Sequence, residues 1–237
     1  MTDFGPVHVV EIGAGTGSLT RHLLNASFKV HAVERDRDLV PILVQEFSDA
    51  IAGGALVVHE ADGARFDLSR VLSPKEPGVL VGNLPYHLTS SIIFLALHHI
   101  ECLKGAIFLV QKEVADRLNA GPSTKEYGFL TVVLKLLFKI DKVANVNRSA
   151  FWPVPNVDSA IIRLSRLKNG PEIPNLEAFI VFVREVFQQR RKKLSTILRA
   201  SISLEQFDSV SIDPNLRPEN LSPEEFLRLF NVCGKYR

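Results

Sequence analysis

The sequence predicts an α/β fold with a mostly parallel sheet, followed by a small all-helical C-terminal domain. Short β-like runs alternate with amphipathic stretches through the first two thirds of the chain. Such alternation forms βαβ units, and these build parallel sheets with right-handed crossovers. The composition around residues 168–171 changes to that of a linker, and the pattern beyond it is helical. We therefore expect one domain over residues 1–168 and a second over residues 172–237.

Seven runs have the character of strands, and the first, Val7 to Ile12, has the pattern of a buried strand. The turn Gly13–Gly17 leads into a helix that reaches about Asn25, and Arg37 to Phe47 forms a second helix. Prolines between the last two runs exclude a tight turn, so these runs form at most a hairpin-like pair. The remaining strand-like runs are Val30–Val33, Leu56–His59, Val79–Val81, Ala106–Val110, Val143–Val146 and Ser159–Leu164.

The C-terminal third shows helical periodicity. Leu176, Phe179, Ile180, Val183 and Phe187 repeat at the spacing of one apolar helix face. Near the end, Ser222 to Glu225 forms a capping box with proline at the first helical position, so a last helix begins there. These patterns complete the predicted helical domain.

Composition excludes several classes of protein. Of the 237 residues, 46% are hydrophobic and 23% are charged, as in soluble globular proteins. No apolar run reaches the roughly 18–20 residues of a membrane-spanning helix, and no signal-peptide pattern is present. Cys102 and Cys233 lie far apart and outside any metal-binding pattern, which predicts no metal site and a reducing, cytoplasmic compartment. The net charge of +2 does not indicate a partner.

A glycine-rich turn joins the first strand to the first helix, with the sequence Glu11-Ile-Gly13-Ala-Gly15-Thr-Gly17. Glycines allow close approach of the backbone to a ligand, and a helix N-terminus offers N–H donors. Glu34 ends the second strand, where a carboxylate accepts both hydroxyls of a ribose. Asp62 ends the third strand, where it can accept from an adenine amino group. Because these strand ends share one edge of a parallel sheet, the three acidic residues predict a nucleoside-binding crevice.

The residues leave two alternatives open for this turn. The glycines serve tight packing alone, or they bind a cofactor. A dinucleotide favours a glycine loop without an adjacent carboxylate, whereas Glu11 beside the loop suits an ammonium group such as that of S-adenosylmethionine.

A second motif, Asn83-Leu84-Pro85-Tyr86, follows the fourth strand. A rigid polar-X-Pro-aromatic turn places an amide oxygen and a backbone carbonyl side by side, with an aromatic face beneath them. Two such acceptors fit the two N–H bonds of an exocyclic amine, and the ring can stack on a flat base. The alternative is an ordinary proline turn with a packed aromatic ring.

With these two motifs the chain resembles the family of adenine dimethyltransferases of small-subunit ribosomal RNA. The resemblance runs from the glycine turn almost to the C-terminus. It also includes Val110-Gln-Lys-Glu-Val114 with Arg117, Gly121-Pro-Ser-Thr-Lys125 with Tyr127-Gly128, Phe151-Trp-Pro-Val-Pro155 with Val157-Asp-Ser-Ala160, Phe187-Gln-Gln-Arg-Arg-Lys192 and Ile212-Asp-Pro-Asn-Leu-Arg-Pro-Glu-Asn220.

The resemblance implies a Rossmann-like class I methyltransferase with a seven-stranded sheet, and S-adenosylmethionine-dependent N6-dimethylation of two adjacent adenosines. It implies a monomer that acts on small-subunit ribosomal RNA and not on a membrane. The implied catalytic residues are Asn83, Leu84, Pro85, Tyr86 and Phe151. The implied cofactor-binding residues are Glu11, Gly13, Gly15, Glu34, Asp62 and Asn83. Tyr86 and Phe151 are expected to clamp an unstacked base, unless Phe151 is a packed core residue.

Two departures from the family pattern concern the N-terminus and two variable positions. Family members carry an FGQxFL-like stretch ahead of the first strand, whereas Met1 to Pro6 precede it here. We therefore expect this 237-residue chain to fold but to have a more open site and to bind S-adenosylmethionine weakly. His87 and Trp152 occupy positions at which the family varies.

A basic segment lies in the helical third of the chain. Between residues 184 and 199 six basic residues accompany one acidic residue, Glu185. Helical spacing places Arg184, Gln188 and Arg191 on one face. The family resemblance favours phosphate contact by this segment, and a merely solvated helix face is the alternative. The predicted RNA-binding residues are Arg184, Arg190, Arg191, Lys192 and Lys193.

Three competing functions remain at this stage. A non-catalytic RNA- or DNA-binding assembly or transcription factor on the same scaffold is the main alternative. A nicotinamide dehydrogenase leaves the Asn83–Tyr86 motif without a use and lacks an acid–base pair. An adenine-specific DNA methyltransferase shares that motif, but the helical third favours RNA.

Overall fold

The computed structural model describes residues 8–236 and contains one seven-stranded sheet in the order β3-β2-β1-β4-β5-β7-β6. Strands β1 to β5 run parallel to one another, and β7 is antiparallel to β5. The strands are β1 (His8–Ile12), β2 (Lys29–Glu34), β3 (Leu56–Glu60), β4 (Gly78–Asn83), β5 (Leu103–Gln111), β6 (Phe138–Val146) and β7 (Ser159–Arg166). The structure confirms the predicted α/β class and all seven strands. Residues 1–7, which include the predicted strand start at Val7, lie outside the described residues.

Ten α-helices connect or follow these strands in the described part of the chain. They are α1 (Ser18–Asn25), α2 (Leu39–Glu46), α3 (Ser48–Ala52), α4 (Thr89–His98), α5 (Lys112–Asn119), α6 (Phe129–Leu137), α7 (Leu176–Gln188), α8 (Leu194–Ile197), α9 (Leu204–Ser209) and α10 (Pro223–Val232). The capping box predicted at Ser222 is present, because the Ser222 hydroxyl accepts from the Glu225 N–H and the Glu225 carboxylate accepts from the Ser222 N–H.

The strand order positions the site. Winding along the sheet reverses between β1 and β4, so the connections after these two strands leave on opposite sides. Ligands of parallel α/β sheets bind in the crevice at such a reversal, beyond the carboxyl ends of the strands. β1 and β4 are buried along most of their length, as expected for central parallel strands. The glycine turn follows β1 and the Asn83–Tyr86 motif begins at the end of β4, so both motifs start at this crevice.

Three histidine rings lie in a row across β1, β2 and β3. The His8 and His31 rings are stacked with centroids 6.0 Å apart, and those of His31 and His59 are 5.4 Å apart. His31 Nδ1 and His59 Nε2 are 3.1 Å apart, so one ring donates to the other. Burial, followed by the neighbouring His59 and His8, lowers the pKa of His31 to about 4. His31 therefore packs between its two neighbours as a neutral imidazole.

The chain divides into two compact units. The sheet unit contains the described residues up to Ala115 together with Asp141–Arg166, and the helical unit contains Asp116–Ile140 and the chain from Leu167 onward. The helical unit thus takes in residues 116–140 besides the predicted second domain, because α6 is apolar and packs against α7 and α10. Its core includes edge-to-face and stacked ring pairs, which are Phe179–Phe230 at 5.3 Å and Phe187–Phe226 at 5.4 Å.

Helix α7 ends at Gln188, so the prediction that Arg184, Gln188 and Arg191 share one helical face is wrong. Gln189 has left the helical conformation, with φ −109° and ψ 34°. The chain then turns, and Leu194 becomes buried with its N–H donating to the Leu216 carbonyl at 2.8 Å. Burial of this side chain redirects the backbone before Arg191 can extend the helix.

The described residues hold neither a membrane-spanning helix nor a cluster of metal ligands. No helix within residues 8–236 is long and apolar enough to cross a bilayer. In the same range, no group of three or more His, Cys, Asp and Glu side chains is arranged to hold a metal ion. Cys102 and Cys233 are both buried and free.

Candidate active site

The glycine turn after β1 combines two kinds of glycine. Gly13 and Gly15 have φ of 73° and 58°, a left-handed conformation that strains any residue with a Cβ. Nothing lies within 4 Å of the position that a Cβ would take at either residue, so this side of the turn is open to a ligand. A Cβ on Gly17 would instead lie 2.3 Å from the Phe47 ring. Gly17 also has a positive φ, 86°, so backbone conformation and tight packing both account for it, whereas Gly13 and Gly15 leave space for a ligand.

Glu34, at the end of β2, holds the turn in place. One carboxylate oxygen accepts a hydrogen bond from the Gly15 N–H at 2.8 Å. The other accepts from the N–H groups of Arg35 and Asp36, both at 2.8 Å. Each carboxylate oxygen has two lone pairs, so the oxygen that accepts from Gly15 can take one further hydrogen bond, whereas the other oxygen is fully used.

A first cavity of about 400 Å³ opens beside this turn. It brings together three of the predicted cofactor-binding residues, Gly13, Glu34 and Asp62, and the predicted catalytic residue Pro85. One Asp62 oxygen accepts from the Ala64 N–H at 3.0 Å, and the other lies 4.0 Å from the Arg35 guanidinium. The other lining residues are Ile12, Val33, Arg35, Asp36, Gly63, His87, Leu88 and Ile92. Acidic acceptors at one wall and apolar side chains at the other fit a nucleoside, whose ribose is polar and whose base is flat.

Glu11 lies beneath the turn and is not among the residues that line the first cavity. Its side chain is 2% exposed, and the Thr20 hydroxyl donates to it at 2.6 Å. Desolvation by burial raises the pKa of Glu11 from its usual 4.5 to about 7, against the lowering effect of the Thr20 bonds. The predicted contact of Glu11 with a ligand stays a prediction, and its observed partner is α1.

A second cavity of about 330 Å³ adjoins the first, because Pro85 lines both. All five predicted catalytic residues line this cavity. Three further lining residues belong to the loop that carries Phe151. Together, the lining residues are Asn83, Leu84, Pro85, Tyr86, Phe151, Trp152, Pro153 and Pro155. Phe151 therefore lines a cavity, and the alternative that it is a packed core residue does not hold.

The polar acceptors of the second cavity are available. The Leu84 N–H donates to the Leu109 carbonyl at 3.2 Å, which fixes the turn to β5. Within residues 8–236, no group donates to the Asn83 amide oxygen or to the Leu84 carbonyl oxygen. The Tyr86 hydroxyl and the buried Ser159 hydroxyl lie 3.2 Å apart, and this bond orients the Tyr86 ring. The arrangement presents two oxygen acceptors and two aromatic rings to one space.

Sequence reasoning missed several lining residues. His87, Leu88 and Ile92 follow the Asn83–Tyr86 motif and reach the first cavity because a short helical turn, Tyr86–Leu88, precedes α4. Their position was not accessible from periodicity, since the turn is irregular. Trp152 and Pro153 beside Phe151 carried a signal, because an aromatic-prolyl run is unusual in a surface loop.

The predicted RNA-binding residues of the helical unit have different surroundings. Arg191 and Lys192 are exposed. The Lys193 ammonium donates to the Asn215 side chain at 3.0 Å and is also exposed. The Arg184 guanidinium lies over the Phe129 ring, 5.4 Å from its centroid. These cations remain on the surface of the helical unit.

Arg190 is bound within the protein. Its guanidinium donates to the Glu219 carboxylate and, at 2.9 Å each, to the carbonyls of Lys125 and Thr124. Three of its five N–H donors are thus engaged, one with Glu219 and two with the loop before Tyr127. Arg190 therefore braces this loop, and its predicted RNA contact stays a prediction.

Comparisons with known proteins agree over nearly the whole chain. Residues 6–235 match the family model described as ribosomal RNA adenine dimethylase. Ribosomal RNA small subunit methyltransferase A of Tolumonas auensis is 38% identical over 230 residues, which cover 97% of this chain and 85% of that protein. The protein of the same name from Pseudomonas aeruginosa is 36% identical over 229 residues, with 96% of this chain and 84% of that protein covered.

Solved structures are also similar. The crystal structure of a dimethyladenosine transferase from Plasmodium falciparum has a TM-score of 0.78 and 28% identity, covering 94% of this chain and 88% of that one. The 23S rRNA methyltransferase ErmE has a TM-score of 0.70 and 29% identity, covering 96% of this chain and 91% of that one.

Proposed function

The chain belongs to the ribosomal RNA adenine dimethylase family, and on that premise we propose that it transfers methyl groups from S-adenosylmethionine to N6 of two adjacent adenosines in small-subunit ribosomal RNA. The observation that carries this proposal is the pair of acceptors in the second cavity. The Asn83 amide oxygen and the Leu84 carbonyl oxygen have no donor within residues 8–236, and both lie beside Pro85, which lines the first cavity as well.

The first cavity fits the methyl donor. Its open glycine side, the Glu34 carboxylate and Asp62 supply what a ribose and an adenine need, and about 400 Å³ suits a ligand of this size. When bound, S-adenosylmethionine supplies an electrophilic methyl group. Gly13, Glu34 and Asp62 would hold its nucleoside part, while Glu11 beneath the turn would attract its ammonium group.

The second cavity prepares the target nitrogen. The lone pair of an adenine amine is delocalised into the ring, so this nitrogen is a poor nucleophile. Two hydrogen bonds accepted by Asn83 and Leu84 would orient both N–H bonds and favour a tetrahedral nitrogen, whose lone pair is available for attack. Catalysis then consists mainly of positioning. No general base is needed, because the methylated ammonium is acidic enough to release its proton to water.

Two rings would hold the base in place. Tyr86, oriented by Ser159, and Phe151 both line the second cavity, so an adenine withdrawn from its stack would lie between them. Enzymes that modify base atoms must bind the base in this unstacked state. A non-catalytic role on the same scaffold is not favoured, because the acceptors and rings that methyl transfer uses are intact.

The remaining parts of the proposal concern partner, domains and location. Exposed Arg191, Lys192 and Lys193 support phosphate binding by the predicted domain of residues 172–237, with Arg184 on the same unit. Free, buried cysteines support a reducing cytoplasmic location, where small ribosomal subunits mature. We further propose a monomer, which light scattering at working concentration tests directly.

Transfer of tritiated methyl groups tests the function. Purified chain is incubated with labelled S-adenosylmethionine and unmethylated small ribosomal subunits, free ribosomal RNA or DNA. We expect label in the small-subunit RNA, with N6,N6-dimethyladenosine as the product after nuclease digestion. Label in DNA alone, or none in any substrate despite a folded chain, would overturn the proposal.

A further inference from the structure

Trp152 is the most exposed large apolar side chain of the described residues, at 94%. Indoles are rarely left in water, because they bury a large apolar area when they find a partner. Trp152 also lines the second cavity, immediately after Phe151. An exposed aromatic ring at the rim of a proposed base-binding cavity needs an explanation that the clamp of Tyr86 and Phe151 does not supply.

The loop that carries Trp152 is held at both ends. The Asn147 side chain accepts from the Ser149 N–H at 2.9 Å, and the Phe151 N–H donates to the Arg148 carbonyl at 3.2 Å. The Asp158 carboxylate accepts from the Arg148 N–H at 3.0 Å, which closes the loop on itself. These bonds fix the backbone at residues 147–151 and join it to Asp158, so Trp152 lies in a loop that is anchored at both ends.

Charge at the rim favours a nucleic acid strand as the occupant. Arg148 and Lys112 are both exposed, and their backbone N–H groups each bond to Asp158. Two cationic residues thus bond through their backbones to the base of the loop, beside the single exposed carboxylate of Asp158. A strand that enters the second cavity with one base brings its phosphates and its next base to this rim.

We propose that Trp152 is a stacking platform for the nucleotide next to the adenosine that is methylated, and so a substrate-positioning residue. The inference rests on the proposed function. Withdrawing one adenine from a strand removes a stacking partner from its neighbour, and an indole face replaces that partner. Aromatic side chains bind unstacked bases in this way in single-stranded RNA.

The chain offers a direct signal, since Trp152 is its one tryptophan. Emission from the indole is followed while a short single-stranded RNA with two adjacent adenosines is added in the presence of S-adenosylhomocysteine. We expect quenching that saturates with RNA binding, as measured in parallel by anisotropy of a labelled strand. Binding without any change in emission would overturn the proposal. This titration needs no turnover, so it tests Trp152 whether or not methyl transfer is found.

Variants and modified strands make the test specific. Trp152→Leu should weaken RNA binding about 5- to 150-fold, the range that loss of one base–aromatic stack implies. Trp152→Phe should restore most of the loss, because it keeps a ring. Val154, 53% exposed on the same loop but outside the second cavity, supplies the control Val154→Ala, which should bind RNA as the wild type does.

A double-mutant cycle that combines Trp152→Leu with an abasic nucleotide in the RNA identifies which base the indole contacts. An abasic nucleotide is placed on either side of the target adenosine in turn. On one side it should weaken binding to the wild type but not to Trp152→Leu, since the two losses are then the same interaction. Additive losses on both sides would overturn the proposal, as would a dimer that Trp152→Leu converts to monomer.

The methylation assay separates this inference from the function itself. If wild type methylates small-subunit RNA while Trp152→Leu has an unchanged KM, only the stacking platform is wrong. For a platform that binds the neighbouring base, KM should rise while kcat at saturating RNA changes little.

Discussion

The Gly15 N–H donates to the Glu34 carboxylate at 2.8 Å, across nineteen positions of the chain. The end of β2 thereby fixes the turn that follows β1. Because the same carboxylate also accepts from the N–H groups of Arg35 and Asp36, it organises two loops of the first cavity at once. The shape of the glycine turn therefore depends on the side chain that we propose as the ribose acceptor.

Glu34→Ala should weaken S-adenosylmethionine binding by about 1.5–3 kcal/mol, the loss expected for a hydrogen-bonded charged acceptor. Isothermal calorimetry measures this change. Glu60→Ala is the matched control, since Glu60 ends the neighbouring strand β3 and pairs with Arg37 on the surface. Tight binding of NADH that depends on Glu34 would contradict the assignment of the first cavity.

Asn83→Ala should lower turnover on the order of 10²–10³-fold, as loss of one electrostatic positioning group does. Asn83 is exposed at the end of β4, so the free energy of unfolding and the affinity for RNA should change little. Single-turnover methyl transfer at saturating RNA isolates the chemical step. Asn145→Ala, an exposed asparagine on β6, is the control. Turnover within threefold of wild type would remove Asn83 from the mechanism.

Glu11 predicts a stability that falls as the pH rises. Its pKa is raised to about 7 from 4.5 in the unfolded chain, so the folded state binds the extra proton. The resulting stabilisation is complete below pH 4.5 and is lost as the pH passes through 7. Glu11→Gln cannot ionise and should be more stable than wild type at pH 8 by about 1–3 kcal/mol. Urea unfolding at pH 5 and pH 8 measures the difference.

If Glu11 attracts the ammonium group, affinity for the cofactor should change with pH in the opposite direction to the stability of the free protein. Ionised Glu11 and the protonated amino group are then the binding forms, so affinity for S-adenosylmethionine should rise from pH 6 to about pH 7.5, below the α-amino pKa of about 7.7–8.0. Glu11→Gln should abolish the rise. An identical pH profile for the two proteins would limit Glu11 to its contact with Thr20.

The histidine row predicts the opposite slope at acid pH. His31 has its pKa lowered from 6.5 to about 4, so the unfolded chain binds the proton first. Stability contributed by the neutral ring is present above pH 6.5 and is lost as the pH falls toward 4. Allowing for solvent screening, His31→Val should remove about 1–2 kcal/mol of this acid sensitivity. His22→Gln, on the exposed side of α1, should leave the slope unchanged.

Replacing Arg191 and Lys192 by alanine should weaken RNA binding and reduce the slope of log affinity against log salt by about 0.7 per lost phosphate contact. The expected cause is loss of two exposed cations, so the free energy of unfolding should stay constant. Filter binding at several salt concentrations measures the slope. An unchanged slope would mean that these two residues are only solvated.

Arg190→Ala should behave differently from that double variant. It removes three internal hydrogen bonds and leaves Glu219 without its partner, which should cost about 1–3 kcal/mol of stability. Its salt slope should match that of the wild type. A lowered salt slope with full stability would instead show that Arg190 contacts RNA phosphates.

Regular and repeated patterns made most of the fold predictable from sequence. The strands and the capping box at Ser222 were correct because buried runs and local capping depend on nearby residues. The end of α7 was not predictable, since it follows from burial of Leu194 and a bond to the distant Leu216 carbonyl. Contacts far apart in the chain leave no local signal.

The candidate site divides in the same way. Gly13, Glu34 and Asp62 line one cavity because strand ends converge, which topology alone predicts. The internal hydrogen bonds of Arg190 could not be predicted, because a local excess of positive charge does not show that Glu219 and Lys125 lie beside this side chain. The sequence also left open whether Gly17 serves packing or ligand binding, because the Phe47 ring that packs against it lies thirty positions away in the chain.

The strand order has a consequence for synthesis of the chain. β5 pairs on one side with β4, which precedes it, but on the other with β7, whose residues Ser159–Arg166 come about fifty positions later. While the nascent chain emerges, β5 therefore keeps an open edge that invites pairing with other chains. Translation that stalls between residues 112 and 158 should yield aggregation-prone fragments. Once residue 166 has been released, β7 can pair with β5 and cover its open edge.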